Sequence, residues 1–298
     1  SLDKKQWLRH MSLAEDGKSD PEGIAVRAVQ GIEGVDYLQT GAMGTATTWV
    51  FGRIISHLRE RGYDDSNLRA APYDWRMCPA FLEKRDQYFT KMCKAIEGMS
   101  ADNQDLPVVL VAHSMGNNMA HYFLNWVLKN GDKVRDMPGA GFAQNGQAWL
   151  DRYIHGLVGI SGSYLGATKP VRATICGEDF GMGPALLSGD DAVLLCRGMG
   201  SGSWLLPKDR LETEGMRLYE RVEGSPPGSV SLGRESHGMH RTTSDIHRVD
   251  SSAHRKYLPM SIKDAICSRG AEHVVRQREQ WYDQDPCIPG GSSADAPP

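Results

Sequence analysis

Residues 108–127, VVLVAHSMGNNMAHYFLNWV, change hydrophobic period in mid-stretch, and no other segment limits the fold so tightly. Val108 to Val111 make a short apolar run suited to a buried strand. Met115, Met119, Tyr122, Phe123, Trp126 and Val127 then fall on one face of a helix. Between them, Ala112-His113-Ser114-Met115-Gly116 places small-x-Ser-x-Gly at a strand-to-helix junction, the pattern of a nucleophile elbow. So sharp a turn strains the serine, asks for small residues two positions away on either side, and lifts the hydroxyl above the sheet edge. The helix that follows aims its first amides at the same point, which makes Met115 N–H a candidate oxyanion donor. The pentapeptide alone is weak; the strand before it and the amphipathic helix after it carry the reading. The plainer alternative is a serine that caps a helix N-terminus. His113 is expected to pack under the turn and not to serve as base, because alternate residues face opposite sides.

The rest of the first half alternates in the same way. Strand candidates are Ile24 to Val29, Asn67 to Tyr73, Pro107 to His113 and Tyr153 to Ser161, none with strict alternation, as in strands buried on both faces. Phe51, Ile54, Ile55 and Leu58 mark one helix, and Phe89, Met92, Cys93 and Ile96 another. The order β, α, β, α, β, turn, α, β predicts an α/β fold with a mainly parallel sheet and helices on both faces. The loop Val29 to Gly34 after the first candidate holds glycines that free a backbone amide for a ligand, and Ile32 is the expected second oxyanion donor. We expect a core over 1–175, a cap or lid insertion over 176–260, a return helix over 261–285 and a flexible tail over 286–298.

Composition narrows the function. With Lys+Arg 34 against Asp+Glu 37, no electrostatic footprint for nucleic acid exists. No apolar run approaches the roughly 20 residues of a spanning helix. The six cysteines are scattered and read as free thiols. His237, His240, His247 and His254 lie in a polar stretch without cysteine partners or an HExxH motif, so neither a metal nor a cofactor is expected.

Several segments together resemble the lecithin:cholesterol acyltransferase family. They are DPEGIAVRAVQGIEGVDYLQTG (20–41), AAPYDWR (70–76), LEKRDQYF (82–89), VLVAHSMGNN (109–118), YIHGLVGISGSYLGATKPVRATICGEDFG (153–181), SWLLP (203–207) and WYDQDP (281–286). Within the family the likeness is nearer to the phospholipid:sterol and phospholipid:diacylglycerol acyltransferases. The resemblance implies an α/β-hydrolase that moves a fatty acyl group from a phospholipid to a sterol or diacylglycerol hydroxyl through an acyl-enzyme on Ser114. It puts Met115 and Ile32 at the oxyanion positions, gives Asp74, Trp75 and Arg76 a supporting role as a buried pair beside a tryptophan, and implies a membrane surface as partner and an endoplasmic reticulum location. In this fold the triad acid and histidine follow the serine. The motif that would carry them is not found up to Pro298, and the family's first strands are not found either. The chain is therefore expected to be incomplete at both ends, with acid and base outside it. Ser188 to Leu195, SGDDAVLL, looks like the acid motif but lies in the expected cap. A phospholipase or esterase of the same fold, or a fragment inactive for want of its base, are the alternatives.

Overall fold

The computed structural model of the chain describes residues 4–37, 49–131, 145–180, 187, 189–207, 217–220, 231–233, 258–260, 262–282, 285 and 287. They divide into two units, Lys5–Tyr164 with Tyr282–Pro298, and Ser1–Lys4 with Leu165–Trp281. The first unit carries, in chain order, α1 (Lys4–Met11, from its second residue), α2 (Glu33–Asp36), α3 (Gly52–Arg59), α4 (Pro79–Asp86), α5 (Tyr88–Asp102), β1 (Val108–His113), α6 (Met115–Lys129), α7 (Gly146–Tyr153) and β2 (Ile154–Ile160).

β1 and β2 pair in parallel, with Val111 opposite Val158 and His113 opposite Ile160. The helical stripes read from the sequence meet in one aromatic core. Phe89 of α5 stacks on Tyr122 and Phe123 of α6 at 5.2 and 6.0 Å, and Phe123 meets Trp149 of α7 edge-on at 6.0 Å. All four are buried, each contributing roughly 1.5–3 kcal/mol in burial. Asn145 caps α7 by accepting from Ala148 N–H at 2.9 Å.

Among the described residues the parallel sheet is smaller than the pattern suggests. Residues 24–29 and 67–73 run without a strand partner, and side chains satisfy their backbone instead. Val26 N–H donates to Asp20 Oδ2, Gln30 Nε2 to Ala28 O, and the Tyr88 hydroxyl to Ala71 O. Apolar β-prone composition is necessary for a strand, but a ladder also needs a neighbour in register. The β1–β2 pair is likewise open on one face, where Val109, Val111 and Val158 are 47%, 42% and 49% exposed; helix cover on both faces is not what the described residues have.

The second unit carries α8 (Thr168–Cys176), α9 (Gly189–Arg197), α10 (Gly200–Trp204), β3 (Arg217–Glu220), β4 (Ser231–Gly233), β5 (Leu258–Met260), α11 (Ile262–Cys267) and α12 (Glu272–Tyr282). Its core joins Val171, Ile175, Leu206, Ile266, Ala271, Val274 and Val275. β3 lies between β4 and β5, antiparallel to both. The return helix expected over 261–285 is, among the described residues, two helices, because Gly270 at φ +68 ends the first. Within this unit Gly189 to Leu195 of SGDDAVLL lie in α9, and Asp191 pairs with Lys4 at 2.6 Å. The four histidines between 237 and 254, and the expected tail apart from Cys287, lie outside the described residues.

Candidate active site

β1 ends at His113 and α6 begins at Met115, so Ser114 alone makes the turn, with φ 52° and ψ −124°. A positive φ costs a non-glycine residue about 1–3 kcal/mol and persists only where the surroundings over-determine it. Here they do. Ser114 N–H donates to Ile160 O at 2.9 Å, one step beyond the parallel ladder, and Ser114 O accepts from Asn117 N–H at 3.0 Å. The serine side chain forms no capping bond to α6, so helix capping does not account for it. Ser114 is exposed, and its hydroxyl stands at the N-terminus of a 15-residue helix whose first N–H groups have no intrahelical acceptor. Met115 N–H is one of these.

The elbow's small neighbours are less crowded than the motif implies. A methyl group built on Gly116 would lie 3.9 Å from the Ala112 side chain, an ordinary contact. The space is shared by the pair and not forced upon Gly116 alone.

Behind the serine stand residues that the sequence reading passed over. Asn117 Nδ2 donates to Ser114 O at 3.1 Å and to Ile160 O at 2.9 Å, and the Tyr164 hydroxyl donates to Asn117 Oδ1 at 3.1 Å. Asn118 Nδ2 donates to Ser163 O at 2.8 Å, and Ser163 Oγ returns a bond to Asn118 Oδ1 at 2.9 Å. Asn117 and Asn118 are 0% and 4% exposed. Two consecutive amides on the buried side of an otherwise apolar helix were the available signal, since such groups are kept inside only when satisfied.

Ile32 opens α2 with helical backbone angles and follows Gly31 at φ +78. Its turn is tied toward the elbow indirectly. Val35 O accepts from Phe51 N–H at 3.3 Å, Asp36 O accepts from Val50 N–H at 2.9 Å, and the Phe51 ring meets His113 edge-on at 6.3 Å. Among the described residues no hydrogen bond joins Ile32 to Ser114, nor a histidine or carboxylate to the Ser114 hydroxyl. His113 is exposed and meets the Phe51 ring edge-on rather than lying beneath the turn.

Asp74 and Arg76 form a buried bidentate pair: Arg76 Nε and Nη2 donate to the two Asp74 oxygens at 2.9 and 2.7 Å. Arg76 also donates to Asp20 Oδ1 at 2.7 Å and to the carbonyls of His10 and Ser12, and Arg85 Nη2 donates to Asp74 Oδ2 at 3.0 Å. Burial works against charge on Asp74, yet the guanidinium groups of Arg76 and Arg85 hold its carboxyl below the usual carboxylate range. Asp20 is held down the same way by Arg76 and Arg27. Trp75 between the pair is 41% exposed. Asp20 and Arg85, which complete this network, were not legible from the local motif because they lie 56 and 9 residues from Arg76.

Comparison with known proteins agrees with the segment-by-segment likeness. A family model described as lecithin:cholesterol acyltransferase matches residues 1–260. A phospholipid:diacylglycerol acyltransferase of Schizosaccharomyces pombe is 34% identical over 70% of this chain and 32% of its own length. A phospholipid--sterol O-acyltransferase of Arabidopsis thaliana is 29% identical over 67% of the chain and 30% of its own. The human phosphatidylcholine-sterol acyltransferase is 30% identical over 43% and 24%. The aligned region thus spans about a third or less of these relatives.

Proposed function

The chain belongs to the lecithin:cholesterol acyltransferase family, and on that premise we propose that it carries the nucleophile of an α/β-hydrolase-type O-acyltransferase, Ser114, which takes a fatty acyl group from a phospholipid and passes it to a sterol or diacylglycerol hydroxyl. The observation that carries this reading is the strained serine set alone between a parallel strand and a helix N-terminus.

The chemistry follows from that placement. Ser114 Oγ attacks the acyl carbonyl of the phospholipid, forming a C–O bond as its proton leaves to a general base. The carbonyl oxygen gathers charge where Met115 N–H points, with Ile32 N–H as the second donor. Collapse breaks the ester bond to glycerol, and the departing lysophospholipid oxygen takes up the proton. The acceptor hydroxyl then attacks the acyl carbon and gives up its proton to the base; the bond between the acyl carbon and Ser114 Oγ breaks as the base passes that proton to Ser114 Oγ. Asp74 and Arg76 serve structure in this scheme, with Trp75 beside them. The acid and base of the triad are not assigned to any residue of the chain, and a phospholipid donor favours work at a membrane surface, with the endoplasmic reticulum the location that the family resemblance implies. No helix among the described residues is long and apolar enough to cross a membrane.

The test supplies the intact protein with acyl-labelled phosphatidylcholine, with and without sterol or diacylglycerol. Labelled steryl ester or triacylglycerol is the expected product. Free fatty acid alone would replace acyl transfer by hydrolysis, and absence of fluorophosphonate labelling at Ser114 would remove both.

A further inference from the structure

We propose that Asn117 is a positioning residue whose buried carboxamide holds the Ser114 backbone in its strained conformation and so sets where Ser114 Oγ and Met115 N–H point; this rests on the reading of Ser114 as nucleophile. Asparagine is a poor choice for the first turn of a helix interior, and a fully buried carboxamide is costly unless bonded. Asn117 is 0% exposed and is bonded on three sides. Its two N–H bonds go to the carbonyls of Ser114 and Ile160. Ser114 itself has φ 52°, and the residue after Ile160, Ser161, has φ 49°. One side chain thus clamps the two strained turns that follow β1 and β2, side by side.

The surroundings are cut to this carboxamide. A methyl group on Gly159 would lie 2.5 Å from Asn117 Oδ1 and 2.9 Å from the Tyr164 hydroxyl. One on Gly162 would lie 2.6 Å from the Tyr164 ring and 3.1 Å from Asn117 Cγ. Neither glycine has a positive φ, so both are small for the space they leave and not for the backbone they adopt. Tyr164, 42% exposed, closes the arrangement by donating to the oxygen of the same amide, which fixes which end of the amide faces the two carbonyls. Leucine has the same number of side-chain heavy atoms as Asn117 with the same branching, but would leave both carbonyls and the tyrosine hydroxyl without the amide.

The experiment measures the second-order rate constant for fluorophosphonate labelling of Ser114, with the thermal midpoint, in the intact protein. Asn117→Leu removes all three bonds while keeping the number and branching of side-chain heavy atoms; we expect it to remain folded and to label at least about 30-fold more slowly. Asn117→Asp can donate only when protonated, so its rate relative to wild type should climb as pH falls, a signature that mere destabilisation does not produce. Tyr164→Phe removes one donor from a part-exposed residue, and about 3- to 10-fold slower labelling is expected for one lost hydrogen bond. Trp149→Phe, which loses its bond to Glu97 away from the elbow, is the destabilised control and should label at the wild-type rate below its midpoint. A folded Asn117→Leu that labels within about twofold of wild type, or an Asn117→Asp ratio flat with pH, overturns the proposal. Should Asn117→Leu fail to fold, Tyr164→Phe labelling at the wild-type rate overturns it instead. A wild-type protein that does not label at all overturns the nucleophile reading itself, an outcome distinct from unaffected variants of a protein that does.

Discussion

Ser114 is held in a backbone conformation that glycine tolerates and serine does not, and that trade can be read directly in stability. Ser114→Gly relieves the positive φ, so the thermal midpoint should rise by the equivalent of about 1 kcal/mol while fluorophosphonate labelling disappears. A midpoint that falls instead would mean that the serine side chain, and not the fold around it, stabilises the turn. The neighbouring residues divide by the same logic. Gly116 has room for a methyl group, whereas Gly159 and Gly162 do not. From sequence Ala112 and Gly116 were expected to be small for steric reasons but Gly159 and Gly162 were not, because the elbow motif is local and the fit around Asn117 involves residues more than 40 positions apart.

At the scale of elements, the buried ion network ties the segment after α1 to the segment before α4. Arg76 is 1% exposed and bridges Asp20, Asp74 and the carbonyls of His10 and Ser12. Arg76→Met fills similar space but leaves two carboxylates buried beside fewer cations. The expected cost is about 3–5 kcal/mol, measured as a lowered urea midpoint at unchanged slope. A loss under about 1 kcal/mol would mean that Arg27 and Arg85 suffice to satisfy Asp20 and Asp74. The pairing of Asp74 with Arg76 was open to sequence reasoning because the two are neighbours on YDWR; the remainder of the network was not, since charge partners across 56 residues leave no periodic trace. Helices α3, α5 and α6 announced themselves by apolar spacing, while α10 did not, its five residues being glycine and serine up to Trp204.

For the whole molecule, buried carboxylates set opposed limbs of a pH profile. Asp20 and Asp74 are held below 3.8 when folded, so they bind fewer protons folded than unfolded. Their stabilisation is complete above 3.8 and is lost as pH falls through the folded values. Glu97 goes the other way: burial raises it above 4.5, against the hydrogen bond it accepts from Trp149 Nε1 at 2.7 Å. It therefore favours folding below 4.5, and that contribution is lost as pH rises through its folded value. Thermal melts across pH 3 to 8 should show a steep acid loss and a gentler decline above pH 4.5. Glu97→Gln, which keeps an acceptor for Trp149, should raise the midpoint at pH 7 and flatten the upper limb alone. An upper limb unchanged in that variant would assign it to another group.

By itself the sequence determined what a short window can encode: the strand-to-helix break at Ser114, the amphipathic stripes that build the aromatic core, and a family likeness spread over most of the chain. Periodicity, turn sterics and composition are local properties, and they survive without knowledge of partners. Only the tertiary structure decided which apolar runs find a neighbour to pair with, that Gly270 splits the last helix, that Arg76 reaches Asp20, and that Asn117, with Tyr164 behind it, grips the carbonyls on either side of the elbow. Each of those depends on hydrogen-bond partners or space supplied from elsewhere in the chain, and pairing of that kind is written in no single segment.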